Sequence, residues 1–203
     1  MKKISTLIGG GIIALALTYA FTPAVAGGHD FSFLKGQKEL NVEYDYSNLK
    51  VGKKDMADEQ DYIKKKVEEG NKKEAGKGDH WLELWNGGRK NHYEPKFEEL
   101  CTKQLSGLVV AGGKTGAKYT LILHTVMIEP GYNIGIAKQP AFCNYEIQIV
   151  ETADHSKVML KWNLGDVMGS NMTGMDYDPA ARIVECFAKA GKMIGKDISK
   201  SIE

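Results

Sequence analysis

The sequence predicts an α+β fold, a two-layer sandwich in which a four-stranded mixed or antiparallel sheet carries helices packed on one face, in the order β-α-α-β-β-β-α. Three observations predict it. Four segments read as strands, 40–50, 141–151 and 157–164 by period-two alternation and 118–128 by a run of β-branched and apolar residues on both sides. Apolar residues recur at helical spacing along 94–108 and again along 178–198. Three of the four strands pair an apolar face with a polar one, which requires one sheet face to be covered and the other to meet water.

The elements follow in order. Met1, Lys2 and Lys3 precede an almost charge-free stretch to Phe21, then Pro23 and the small-residue triplet Ala24, Val25, Ala26. This is the pattern of a secretory signal, with cleavage expected between Ala26 and Gly27 and a domain at 27–203. Its apolar core, broken at Gly9 to Gly11, is short against the ~20 residues of a membrane span, so no integral segment is expected after cleavage. Export to the periplasm or beyond is the expected localisation. No cysteine precedes Cys101, so lipid anchoring is not expected.

The first strand places Leu40, Val42, Tyr44 and Tyr46 opposite Asn41, Glu43, Asp45 and Ser47. A peripheral, highly charged helix is expected over 58–73, with Tyr62, Ile63 and Val67 as its thin apolar stripe, and a loop over the Gly- and Lys-rich 70–78. Asp79 caps a short helical turn carrying Trp81, Leu82, Leu84 and Trp85, which Gly87 and Gly88 end. The next helix starts near Glu94 and Pro95 and presents Phe97, Leu100, Cys101, Leu105 and Leu108. The strand at 118–128 is apolar on both sides and is therefore expected at the centre of the sheet. The short polar link 152–156 makes the last two strands an antiparallel hairpin. The segment 130–140 reads as a mobile loop. Asp178 and Pro179 open a terminal helix with Ile183, Phe187, Ala190, Ile194 and Ile198 on one face. Gly191 and Gly195 beside that face read as close helix-to-sheet approach.

The chain carries 27 basic and 26 acidic residues, a balance that offers no electrostatic footprint for nucleic acid. Removing residues 1–26 leaves 177, enough to bury about 70% of the unfolded surface without disulfides. Cys101, Cys143 and Cys186 each sit inside an apolar pattern, where an unpaired thiol acts as a small hydrophobe.

Several chemical motifs fail on context. The run from Gly107 to Gly113, Lys114 and Thr115 places five residues where a phosphate-binding loop needs four, and a helix precedes it where a strand should. It reads as a helix-ending turn. His29, His80, His92, His124 and His155 show no ligand spacing, His80, Glu83 and His92 being the nearest approach to a zinc set. Asp166, Asn171, Asp176 and Asp178 lack the closing glutamate of a calcium loop. Cys143 and His124 fall on neighbouring strands without an orienting third group. No metal, cofactor or catalytic residue is assigned.

The runs FLKGQKELNVEYDYSNLKVG, EPKFEEL, AKYTLILHTVMIEPGYNIG and AKAGKMIGK resemble a family of exported proteins of gut and oral Bacteroidales bacteria. The resemblance spans nearly the whole chain after the leader. The family has no established activity, so no residue role is carried over. It implies a Gram-negative envelope setting. The order of strands and helices is also similar to the α/β modules of envelope lipoproteins related to the curli-secretion channel and to the N-terminal domain of the Tol-Pal translocation protein. That similarity implies envelope assembly or protein contact; the missing lipidated cysteine and long membrane hairpin argue against a pore.

Trp81, Trp85, Arg89 and Tyr93 form the candidate partner patch, since aromatic rings and arginine carry much of the energy of protein and sugar contacts. The expected function is a non-enzymatic periplasmic or secreted binding module whose partner is an envelope protein or glycan. The alternative is an envelope hydrolase with a site near 128–140 or 81–93.

Overall fold

The computed structural model describes residues 28–54, 56–169 and 179–202. The expected leader and the Asp178 cap lie outside them. A short 3-10 turn, Ser32–Leu34, seats Phe31 and Leu34 in the core. It leads into β1 (Glu39–Asp45), β2 (Lys50–Val51) and β3 (Ala57–Asp58). Helices α1 (Glu59–Lys73) and α2 (Lys77–Gly88) follow, then a π-helical turn at Arg89–Tyr93 and α3 (Glu94–Thr102). Strands β4 (Val109–Gly112), β5 (Tyr119–Glu129), β6 (Tyr132–Asn133), β7 (Lys138–Gln139), β8 (Phe142–Glu151) and β9 (Asp154–Met168) precede α4 (Ala180–Ile202).

The apolar strand β5 is the spine, as its two-sided pattern predicts. On one side it pairs in parallel with β1 (Asn41–Asp45 against Thr120–His124) and then with β2 (Lys50–Val51 against Met127–Ile128). On the other it pairs antiparallel with β8, and β8 in turn with β9, the predicted hairpin. Strand β4 lies parallel outside β1, and β3 antiparallel beside β2. The sheet is mixed and has seven strands, which corrects the expectation of four. The additional strands span only two to four residues each, too few to show alternation. One of them, β4, lies inside the Gly-containing run that reads as a turn.

Leu40, Val42, Leu121, Leu123, Ile147 and Ile149 share one sheet face and are buried under α3 and α4. The terminal helix contributes Ile183, Phe187, Ala190, Ile194 and Ile198, and α3 contributes Phe97 and Cys101. Gly191 and Gly195 face α3 rather than the sheet: a Cβ on Gly195 would stand 2.6 Å from the Cys101 carbonyl oxygen, and one on Gly191 would overlap the Phe97 carbonyl. The small residues therefore set a helix-to-helix crossing.

Two further glycine pairs depart from the sequence reading for the same reason. Residues 70–78 are mostly helical, broken only at 74–76, because Gly70 and Gly78 are points of close approach between α1 and α2, where a Cβ on Gly70 would lie 2.6 Å from the Gly78 Cα. Gly87 and Gly88 end α2 as expected, but they do not end the helical path. The helical path runs on through the π turn into α3, and Gly88 makes room for the Tyr93 hydroxyl, 2.7 Å from where its Cβ would be.

Candidate functional site

The aromatic patch is assembled, but inward. Trp81 and Trp85, one turn apart on α2, stack at 5.3 Å between centroids and are joined by Tyr62 of α1. They remain 9% and 3% exposed. Glu59 at the start of α1 is the polar hub: its Oε1 accepts the Trp85 indole N–H at 2.7 Å and an Arg89 N–H at 2.5 Å. The Arg89 guanidinium lies 4.0 Å from the centre of the Tyr46 ring. Trp81, Trp85 and Arg89 are thus brought together, while the π turn carries Tyr93 away to stack on Phe187 of α4 at 5.1 Å. Nearby, Tyr44 donates to the Glu94 carbonyl at 3.0 Å and to Glu98 at 3.1 Å. Burial first, and then the Glu98 charge, push its phenol far above the usual range, so it serves as a fixed donor. The arrangement fastens the helical layer to the end of β1. It leaves little ring face on which a sugar can stack.

The uncovered sheet face carries titratable groups in rows fixed by strand register. Asp45, His124 and Glu146 lie side by side on β1, β5 and β8. The His124 ring sits 3.9 Å from Asp45, 3.7 Å from Glu146 and 2.9 Å from the Ser47 carbonyl. Partial burial opposes ionisation of Asp45, but hydrogen bonds from Ser47 and the neighbouring His124 outweigh it and hold the carboxyl below its ordinary range. Cys143 does not join this row. It is paired in register with Ile128 and buried on the opposite, helix-covered face, so strand alternation separates it from His124. Desolvation, followed by the adjacent Cys186 thiol, pushes the Cys143 thiol well up, unsuiting it as a nucleophile.

The other sequence candidates are structural or solvated. Lys114 donates its backbone N–H to Asn41 at 2.8 Å and its ammonium to Glu39 at 2.7 Å, closing the turn after β4. His80 is solvent-exposed 3.7 Å from Glu83, His92 is exposed, and among the described residues no three His, Cys, Asp or Glu side chains converge as a metal site would need. Asp166 pairs with Lys53 at 2.7 Å; Asn171, Asp176 and Asp178 lie outside the described residues. A cleft of about 270 Å³ lies between Leu34, Gln37, Lys38, Ser106, Leu108 and Ile202. Among the described residues that line it, Lys38 is ionisable and no histidine or carboxylate stands beside Ser106.

What sequence reasoning missed lies at the end of the sheet where β5 finishes. The segment 130–140 forms a two-stranded hairpin, β6 with β7, that joins no other strand among the described residues. Ile136 at its tip is 97% exposed and Ile134 57%, with Tyr132 below them. Met56 from the β2–β3 turn and Met168 at the end of β9 are exposed at the same end. The hairpin base is tied down. Arg182, buried at the start of α4, donates to the Pro130 carbonyl at 3.0 Å and reaches the Gly131 carbonyl at 3.5 Å. Glu129 accepts the backbone N–H groups of Gly131 and Lys53 at 3.0 and 2.9 Å, so its carboxylate holds two loops. The sequence signal was present in Ile134, Gly135 and Ile136 between two prolines: branched apolar side chains in a turn, where no core can receive them.

No helix among the described residues is long and apolar enough to cross a membrane. Compared with protein-family models, with curated proteins and with solved structures, the chain matches none.

Proposed function

We propose that this protein is a non-catalytic docking module of the cell envelope, reached by export, which engages its partner with the apolar end of its sheet. One observation carries the reading: Ile136 stands 97% exposed at the tip of a hairpin whose base is held by Arg182. Single exposed apolar residues are ordinary, but Ile134, Ile136, Tyr132, Met56 and Met168 gather at one end, and such a patch marks a contact surface. Burying one isoleucine of this kind is favourable by about 1.5–3 kcal/mol, which folding leaves unused here.

The described titratable groups favour binding over hydrolysis. Glu129 is committed to backbone donors, and Glu59 is committed to Trp85 and Arg89. In the 81–93 region Glu83 stays exposed, 3.7 Å from an equally solvent-facing His80, a surface pair that burial does not tune for acid–base work.

The test is fractionation of cells that export the tagged full chain, comparing wild type with the Ile134→Ser/Ile136→Ser double variant after mild crosslinking. Wild type is expected with the envelope fraction and the variant in the soluble fraction. Equal distribution of the two would refute docking through this end.

A further inference from the structure

We propose that the occupant of the apolar end is a lipid surface bearing anionic headgroups, into which the tips of the 132–139 hairpin and the β2–β3 turn insert. This rests on the docking reading above and names its partner.

The shape of the end argues for a fluid partner. The exposed apolar side chains are carried on three separate segments: the hairpin with Tyr132, Ile134 and Ile136, the turn with Met56, and the end of β9 with Met168. A protein partner needs a matching relief over roughly 800 Å². A bilayer interface closes around each protrusion without being pre-shaped, and branched apolar tips enter the acyl boundary while the backbone behind them stays hydrated.

The backbone chemistry is compatible with that depth. The hairpin satisfies much of its own hydrogen bonding through the 132–133 and 138–139 pairs, the Ile134 N–H to the Ala137 carbonyl at 3.1 Å and the Gly135 N–H to Asn133 at 3.2 Å. Gly131, at φ +63°, turns the chain out of β5, and Arg182 braces the turn from below. The base of the hairpin is therefore anchored to α4.

The charge around the tips has the matching sign. Among the described residues, Lys54 and Lys138 are exposed at the tips, while Lys53 is paired with Asp166 at 2.7 Å. Glu129 is turned onto backbone N–H groups, and the exposed Asp58 and Asp166 are each paired with a lysine, Lys50 and Lys53. Exposed lysines beside apolar tips place their ammonium groups at headgroup level with their stems along the acyl boundary.

The experiment is flotation of the purified exported protein with phosphatidylcholine vesicles, with and without phosphatidylglycerol. Wild type is expected to float with the mixed vesicles and several-fold less with phosphatidylcholine alone. The Ile134→Ser/Ile136→Ser variant should lose about tenfold or more of the bound fraction, with an unchanged urea midpoint because both side chains lie outside the core. The Lys54→Gln/Lys138→Gln variant should keep residual binding and lose the preference for phosphatidylglycerol. Should the double isoleucine variant fail to fold, Ile136→Ser alone is measured in its place.

Wild type that stays unbound with both vesicles overturns the proposal. So does an isoleucine variant that floats like wild type. Were the isoleucine variant to leave the envelope fraction of cells while wild type ignored vesicles, docking would stand, the lipid assignment would fall, and the partner would be a protein.

Discussion

Replacing Gly195 by alanine tests the helix crossing that holds the covered layer together. A Cβ there would lie 2.6 Å from the Cys101 carbonyl oxygen and 2.9 Å from the Gln104 Cβ, whereas ordinary contact starts near 3.4 Å. Gln104 offers a flexible side chain, but the Cys101 carbonyl is backbone and already accepts the Gln104 N–H at 3.0 Å. Relief therefore requires α3 and α4 to separate by about 0.8 Å or that turn bond to stretch. Overpacking of this kind costs about 1–3 kcal/mol, and weakening the turn bond adds about 0.5–1.5 kcal/mol. Alanine is intrinsically better than glycine inside a helix by about 1 kcal/mol. The net expectation is a loss of about 2 kcal/mol, a fall in Tm of about 4–8 °C. Urea unfolding followed by tryptophan fluorescence measures it. A variant as stable as wild type, or more stable as helix propensity alone predicts, would refute the close crossing.

The cysteines give a second check: burial pushes the Cys101 thiol up to about 12, and all three thiols are buried and unpaired. An alkylating reagent at neutral pH should label none in the native protein and all three in urea, and a fast native reaction or a disulfide mass would contradict this. Acid stability gives a third. Hydrogen bonds from Lys103 and then Lys96 hold the exposed Glu99 carboxyl down at about 2. Being lowered on folding, it contributes stability fully above the usual carboxylate range, and the contribution is lost as pH falls toward 2. It is small because the group is exposed. Glu99→Gln should therefore flatten slightly the acid limb of the urea midpoint against pH, and an unchanged limb would show the two ion pairs to be without consequence.

The long elements were legible from residue pattern because each is decided by its own side chains. In β5 and β8, Leu121, Leu123, Ile147 and Ile149 alternate with half-buried residues, and in α4 the stripe from Ile183 to Ile198 keeps helical period. What stayed hidden depends on partners distant in sequence. Glycine is ambiguous in one dimension: Gly70, Gly78, Gly191 and Gly195 read as loop or as sheet contact until the neighbour that needs the space is known. Strand β4 exists because Val110 and its neighbours find β1 to pair with. Trp81 and Trp85 stand one turn apart, as their spacing implies, but their orientation is set by Glu59, more than twenty residues upstream. The exposed apolar end was hidden for the opposite reason: Pro130, Gly131, Gly135 and Pro140 signal a loop, and that signal masks the isoleucines between them.

The π turn at Arg89–Tyr93 bears on how this chain tolerates changes in length. It is one extra residue absorbed by widening one turn, so the helical faces on either side keep their phase. Removing a residue such as Asn91 would regularise the helix and leave Phe97 and Cys101 under α4, but it would take away the wide turn from which Tyr93 stacks on Phe187. The slack is already used: a further residue would advance the phase by about 100° and turn Phe97 and Cys101 out from under α4. Single-residue insertions are harmful there, however exposed Asn91 and His92 are. The tight turn at 152–153 between β8 and β9 carries no such phase and can absorb them.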